Sequence, residues 1–154
     1  MPALAHMNMK VPPPLRHRDN KLNTQAPADY YDFPLKKDGS DFPCKGYLNV
    51  LDTPEGGSVA TWAAGSQQNF AYVPPTMLAL MHLALTLAPH SLEGSGTHYG
   101  GSCQLSLSYD KGKTFKVIKS WMGSCPHRQD GSDQTFDFQI PSAAPSGDKV
   151  LLSW

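Results

Sequence analysis

The sequence predicts an all-β fold, an immunoglobulin/fibronectin-like antiparallel β-sandwich with long loops. Three observations predict it: 14 prolines and 13 glycines among 154 residues, short runs in which apolar and polar residues alternate, and turn residues between those runs. With 40% hydrophobic residues, the chain is long enough for one domain with a single core. Thirteen basic residues balance thirteen acidic ones without a basic run, so we expect no nucleic-acid partner.

The first part of the chain shows little periodicity. Prolines and clusters of Asp, Asn and Gly run through residues 10–45, so this stretch is predicted to be an extended, irregular segment that passes over a scaffold. A short apolar-rich run at residues 46–51 follows, and we expect the strands to begin there. In such a protein the functional residues are expected on loops.

A hairpin is predicted near the middle of the chain. Within residues 102–109 apolar and polar residues alternate, which is the period-two pattern of a half-buried strand. The residues predicted to share the inner face are Cys103, Leu105, Leu107 and Tyr109. Residues 110–113 supply the turn, and residues 115–121 return as the partner strand.

Two further strands are predicted towards the C-terminus. Phe136, Phe138 and Ile140 alternate with polar residues, and Pro141 ends that strand. Residues 150–154 begin another strand, which we expect to continue beyond Trp154, so the sandwich is expected to be incomplete at its C-terminus. Together these strands predict one hydrophobic core between two sheets.

One segment departs from the β pattern. Residues 77–88 are an almost unbroken run of Met, Leu and Ala, too short to cross a bilayer, which needs about 20 residues. It can be read as a buried helix or a loop insertion. The genetic code offers another interpretation, because codons for residues 71–73 can contain the splice donor GTATGT, those for 85–86 a CTAAC branch point and those for 90–91 the acceptor CACAG. We hypothesise that residues 72–91 are a translated, unspliced intron.

The start of the chain predicts a processed N-terminus. Ala3-Leu4-Ala5 has the small-x-small form that signal peptidase cleaves, so residues 1–5 are interpreted as the remnant of a signal peptide and His6 as the first residue of a secreted, extracellular protein. A terminal histidine chelates through its α-amine and Nδ1, and such nitrogen ligands favour copper over calcium. The alternative is a coincidental triplet, with Met1 beginning a cytosolic structural domain whose cysteines are reduced.

Four sets of residues, in this order along the chain, resemble a known family. They are His6 to Met9, reading HMNM; Asp38 to Cys44, reading DGSDFPC; His98 to Leu107, reading HYGGSCQLSL; and Val117 to Ser120 with Gly123 to Pro126, reading VIKS and GSCP. The sequence resembles the fungal chitin-active lytic polysaccharide monooxygenases of auxiliary activity family 11. The resemblance covers residues 6–154 apart from the suspected insert at 72–91, and it implies a single copper monooxygenase-like β-sandwich domain.

The resemblance implies a copper site called a histidine brace, with His6 and His98 as the catalytic, cofactor-binding and metal-ligating residues. His6 would supply its amine and Nδ1, and His98 the third nitrogen. Amine and imidazole ligands bind both Cu(I) and Cu(II), so the ion can cycle, and affinity is expected to weaken in acid. Taken without His6, His98 is better interpreted as a hydrogen-bonded surface histidine, and the presence of His6 favours the ligand. Gly96 and the Gly100-Gly101 pair are interpreted as turn residues.

Three cysteines are an odd number, which in an exported protein indicates an intermolecular bridge, a reactive thiol or a missing partner. The resemblance implies a disulfide between Cys103 and Cys125 and leaves Cys44 unpaired. In the family the chain continues past the position of Trp154 and supplies an axial tyrosine, an acidic residue and a further cysteine. This sequence contains none of them, so we expect the chain as it stands to be inactive.

The implied function is oxidative cleavage of glycosidic bonds in crystalline polysaccharide, with chitin as the substrate. The implied partners are the insoluble polymer, a small-molecule or protein electron donor, and oxygen or hydrogen peroxide, and we expect a monomer without a membrane partner. The alternative is a non-catalytic carbohydrate-binding or copper-binding module, because fold does not fix function. Four histidines receive no role, and the aromatic residues that could stack on sugars are more often core. These histidines are His17, His82, His90 and His127, and the aromatic residues are Tyr30, Tyr31 and Trp121.

Overall fold

A computed structural model of the chain describes residues 7–25, 34–72, 91–94, 100–127 and 135–154. Within these ranges the protein consists of strands, two short 3-10 helices and irregular segments. The strands are β1 (Met7–Val11), β2 (Gln67–Tyr72), β3 (Ser91–Gly94), β4 (Cys103–Ser108), β5 (Lys116–Trp121), β6 (Phe136–Gln139) and β7 (Leu151–Ser153), and the 3-10 helices are Cys44–Val50 and Pro54–Gly56. Among the described residues, no helix is long and apolar enough to span a membrane.

The strands form two sheets. One has the order β1-β3-β2-β6 and the other the order β5-β4-β7. β1 pairs with β3, β2 with β6, and β4 with both β5 and β7, and all four pairings are antiparallel. β2 and β3 run parallel, with Ala71 opposite Ser91 and Tyr72 opposite Leu92. The predicted all-β sandwich is therefore confirmed, with one parallel pair that the sequence pattern did not indicate.

The core lies between the two sheets and is rich in aromatic rings. Its buried members are Met9, Phe70, Leu105, Cys125, Phe136, Phe138 and Ile140. Phe70 stacks on Phe138 with ring centroids 4.9 Å apart, and Trp121 meets Phe136 edge-on at 5.6 Å. Such pairs contribute about 0.5–1.5 kcal/mol each beyond the area they bury. Trp121 is thus part of the packing around the core.

The four strands predicted by alternation are present as β4, β5, β6 and β7, but β4 is buried more completely than expected. Ser106 and Ser108 are buried as well as the leucines, whereas Tyr109 is 37% exposed. β4 is the central strand of its sheet, so both of its edges are covered. The Ser108 hydroxyl donates to Asp110 Oδ1 and accepts from the Gly112 N–H, each at 2.8 Å. These two hydrogen bonds replace those with water that the hydroxyl loses on burial.

The prediction of a strand at residues 46–51 is wrong. The chain there forms the first 3-10 helix, in which Lys45 and Gly46 have positive φ values of 54° and 75°. The apolar character of the run reflects the burial of Leu51, which is 4% exposed. Gly56 of the second 3-10 helix approaches it so closely that a Cβ would lie 2.3 Å from the Leu51 Cα. A glycine is required at that contact.

The segment predicted to be irregular lacks helices and strands between β1 and the first 3-10 helix, wherever the structure describes it. It is nevertheless tightly folded around His17, which is fully buried and whose Nδ1 accepts the Asp19 N–H at 3.1 Å. The Asn20 amide donates to the Pro14 carbonyl, also at 3.1 Å. His17, to which the sequence assigned no function, therefore has a structural role.

Glu55 ties this irregular segment to the second 3-10 helix. Its side chain is nearly buried, and Oε1 accepts the Thr24 N–H at 2.9 Å and the Thr24 hydroxyl. Oε2 accepts from Arg16 Nη1 at 3.0 Å. The Thr24 hydroxyl, the Thr24 N–H and the Arg16 guanidinium together lower the pKa of Glu55 to about 2. The carboxylate is therefore charged throughout the neutral range and holds both segments.

We expect the Glu55→Gln variant to be less stable than the parent chain at neutral pH and to approach it in acid. The pKa of Glu55 is lower in the folded chain, so the unfolded state takes up the proton first. The stabilisation present above about pH 4.5 is then lost as the pH falls towards about 2. Urea titrations between pH 2 and pH 7 measure this difference. Asp137→Asn, at an exposed position of β6, controls for the loss of one charge. If the difference in unfolding free energy between the parent and Glu55→Gln did not change with pH, this role of Glu55 would be contradicted.

Candidate metal centre

The two histidines of the predicted copper site, His6 and His98, lie outside the described residues. Gly96 does so as well. The structure does describe the backbone on either side of them. Met7 begins β1 directly after His6, and Gly94 ends β3 before the segment that leads to His98. The described part of the chain therefore shows the backbone that flanks the two predicted ligands.

The flanking residues meet in the four-stranded sheet. Met7 pairs with Gly94, and the ladder continues through Met9 opposite Leu92 to Val11 opposite Ser91. Antiparallel partners have Cα atoms about 4.5–5.5 Å apart. The sheet thus brings together the two backbone positions from which the chain leads to the candidate ligands.

The backbone that follows His98 is held from another side. Gly101 accepts the Cys125 N–H through its carbonyl at 3.1 Å, and Ser102 Oγ accepts the Gly123 N–H, also at 3.1 Å. Gly100 has a φ of 90°, a conformation that favours glycine, which agrees with the turn interpretation of this pair. The segment after His98 is therefore tied to the chain that leaves β5.

A disulfide joins Cys103 at the start of β4 to Cys125, the pairing that the resemblance implied. Cys125 is 1% exposed and belongs to the core cluster, so the bridge anchors the hairpin end in the interior. Cys44 is the free cysteine of the described residues and is half-buried. Desolvation by burial raises the pKa of its thiol, which keeps the thiol protonated and unreactive at neutral pH.

The remaining described histidine is packed beside the disulfide. The ring of His127 stacks on Phe136 with centroids 4.9 Å apart, and its Nδ1 lies 3.1 Å from Ser124 Oγ. His82 and His90 lie outside the described residues. In the part of the chain that the structure describes, no three His, Cys, Asp or Glu side chains are grouped to hold a metal ion.

Two polar residues near the candidate ligands were missed by the sequence analysis. Ser102 holds the chain after His98, but its contact with Gly123 reaches across the hairpin and leaves no local sequence signal. Asn8 lies between Met7 and Met9 in β1, and its amide nitrogen is buried without an acceptor among the described residues. A polar residue within a short apolar strand was the signal that could have identified it.

The fold and the residues next to the predicted ligands define a class of protein. It is a small β-sandwich in which the paired strands β1 and β3 and a disulfide-linked hairpin adjoin His6 and His98 in sequence. No family model matches the chain. The chain is 40% identical over 156 residues to the AA11 family lytic polysaccharide monooxygenase A of Aspergillus fumigatus, covering 99% of this chain and 57% of that relative. It is also 32% identical to the AA11 family lytic polysaccharide monooxygenase B of Aspergillus fumigatus and to an AA11 family lytic polysaccharide monooxygenase of Aspergillus oryzae.

These similarities confirm the resemblance that the four sets of residues predicted: over nearly its whole length the chain is similar to AA11 family lytic polysaccharide monooxygenases of fungi. Each of the two relatives at 32% identity matches 97% of this chain. The chain spans 57% of the first relative and 31% and 30% of the other two. The activity, substrate and partners of those longer proteins are therefore matters for a proposal.

We expect the Cys103→Ser/Cys125→Ser variant to lose about 3 kcal/mol of unfolding free energy, because a crosslink across 22 residues restricts the unfolded chain. Cys44→Ser is the matched control, since it removes a thiol without removing a crosslink, and should change stability by less than about 1 kcal/mol. Denaturant titrations without reductant measure both. Thiol titration of the denatured, non-reduced parent should find one free thiol. Three free thiols, or equal stability of the double variant and the control, would refute the assignment.

Proposed function

We propose that this chain is the copper-dependent domain of a lytic polysaccharide monooxygenase that cleaves glycosidic bonds in crystalline polysaccharide by oxidation, with chitin as the substrate. The observation that carries this proposal is the similarity over 99% of the chain to a curated relative named an AA11 family lytic polysaccharide monooxygenase. The pairing of Met7 with Gly94 supports it, because that pairing draws together the chain segments next to His6 and His98.

The donor chemistry of these residues fits copper. An α-amine and two imidazoles are the nitrogen ligands that copper prefers, and His6 and His98 would supply them once residues 1–5 are removed. Copper, when bound, supplies one-electron redox chemistry and the activation of oxygen or hydrogen peroxide. The remaining requirement is that both ligands are held in place. β1 fixes the backbone behind His6, and the disulfide and the Gly101 contact fix the backbone beyond His98.

The substrate and cellular location follow from the same reasoning. A crystalline polymer cannot enter a deep cleft, so a site at one end of a sandwich, close to the surface, suits it better than an enclosed pocket. One oxygen atom from O2 or hydrogen peroxide would replace the hydrogen of a C–H bond beside the glycosidic link with a hydroxyl group, and the other oxygen atom would leave as water. With O2, two electrons from a small-molecule or protein donor and two protons complete the balance. The hydroxylated carbon then becomes a carbonyl as the glycosidic C–O bond breaks, which divides the polymer. Such an enzyme acts where chitin is found, outside the cell, and a disulfide is compatible with that oxidising compartment.

Copper binding tests the site directly. We expect the chain that begins at His6 to bind one Cu(II). His98→Ala, or one residue added ahead of His6, should weaken binding by about 100-fold or more, since even the hydrogen-bonding partners of metal ligands are worth 10–100-fold. Isothermal titration measures the affinity. His127→Ala is the matched control, because His127 packs on Phe136 and has no proposed contact with copper. An unchanged affinity in the His98 variant or the extended chain would overturn the site.

A product assay separates the enzyme from a binding module on the same fold. The native gene product is incubated with chitin, copper and a reductant, and the soluble fraction is examined by mass spectrometry. Oxidised chitin oligosaccharides support the proposed activity. Retention on chitin or binding of copper without oxidised products indicates instead a non-catalytic carbohydrate-binding or copper-binding module, and rejects the monooxygenase.

A further inference from the structure

β2 and β3 point in the same direction, and β3 begins beside the end of β2. They run parallel, and their contact is limited to two register pairs, Ala71 opposite Ser91 and Tyr72 opposite Leu92. The earlier part of β2, residues 67–70, pairs with β6 on its other side. Residues 91–94 of β3 pair with β1. β3 thus continues in the direction of β2 from the point where β2 ends, displaced sideways by one strand.

The two strands are close enough to be joined directly. Neighbouring strands lie about 4.8 Å apart and a strand advances about 3.3 Å per residue, so the Cα atoms of Ala71 and Leu92 are about 6 Å apart. A peptide bond requires 3.8 Å. A shift of about 2 Å would therefore make Ala71 and Leu92 neighbours in one strand. That strand would retain β6 along its first half and β1 along its second half, and every pair in the sheet would be antiparallel.

The alternation of faces also survives the join. Phe70 is buried in the core, so in a continuous strand the second position after it faces the core again. Leu92 would take that position, and it already lies opposite Met9, a buried core residue. Glu93 would then fall on the outer face. Tyr72 and Leu92 are register partners, so placing Leu92 directly after Ala71 moves no residue of β3 to the other face.

The intervening sequence does not resemble an ordinary crossover between parallel strands. Such connections usually contain a helix with one apolar face towards the sheet and one polar face towards water. Residues 73–90 contain no Asp, Glu, Lys or Arg at all, although these residues make up 17% of the chain. A charged face cannot be built from this segment. Its composition therefore differs from that of an ordinary crossover helix.

We propose that β2 and β3 are two halves of one strand and that residues 72–91 are an insertion into it, the translated product of an unspliced intron. Splice signals that codons at both ends of the segment can contain would place the junction between Ala71 and Leu92. The strand register independently pairs Ala71 with Ser91 and Tyr72 with Leu92, so Ala71 and Leu92 lie diagonally across the contact. The proposal does not depend on copper or on the enzymatic activity.

The test compares three forms of the chain: the parent, the deletion of residues 72–91, and the deletion of residues 72–90. The second deletion is the matched control, because it keeps Ser91 between Ala71 and Leu92 and so turns Leu92 outward and Glu93 inward. Thermal unfolding followed by circular dichroism and titration of free thiols are measured for each. Sequencing of the mature message across the junction is done in parallel.

We expect the deletion of residues 72–91 to unfold cooperatively, at or above the temperature of the parent, with one free thiol. The control deletion should unfold about 10 °C or more below the deletion of residues 72–91, because the carboxylate of Glu93 is forced towards the core. The message should lack the corresponding codons. The proposal is overturned by equal behaviour of the two deletions, by loss of cooperative unfolding in the deletion of residues 72–91 alone, or by a mature message that retains the segment.

Discussion

The antiparallel pairing of β1 with β3 is the constraint on which the rest of the molecule depends. It places Met9 in the core, and it aligns Met7 with Gly94 at the end of the sheet. Without this ladder the first residues of the chain would have no fixed position, and a ligand set that includes the terminal amine would have to be ordered by the metal alone. Because the sheet has already restricted that backbone, less entropy remains to be lost on binding.

The disulfide between Cys103 and Cys125 is the second fixed point, and it acts on the opposite side of the loop region. Its sulfur atoms are linked within the core, while the Gly101 carbonyl and the Ser102 hydroxyl extend the attachment to the residues just after His98. The residues on either side of the segment that contains His98 are held by a strand ladder and by a crosslink. This is the arrangement in which loops position ligands while the scaffold carries the stability.

The sequence predicted those parts of the fold that follow from local pattern. β6 alternates Phe136 and Phe138 with exposed polar residues as expected, and the hairpin was found because its turn and its periodicity agree. The run at residues 46–51 misled because its apolar residues serve a tertiary contact, the burial of Leu51, which composition alone does not distinguish from a strand. The Glu55 network joins residues far apart in sequence and leaves no periodic signal.

The candidate site shows the same division between local and long-range information. Residue types and their order were enough to indicate the family, since HMNM and HYGGSCQLSL carry chemistry that can be read without a structure. Whether the two histidines can approach each other is a question of strand register, and nothing within either motif determines the pairing of Met7 with Gly94. β3 opposes β1 and runs in the direction of β2, so the chain enters β3 beside the end of β2. The parallel contact between β2 and β3 is therefore a consequence of how these two strands are connected, rather than a separate requirement of the sandwich.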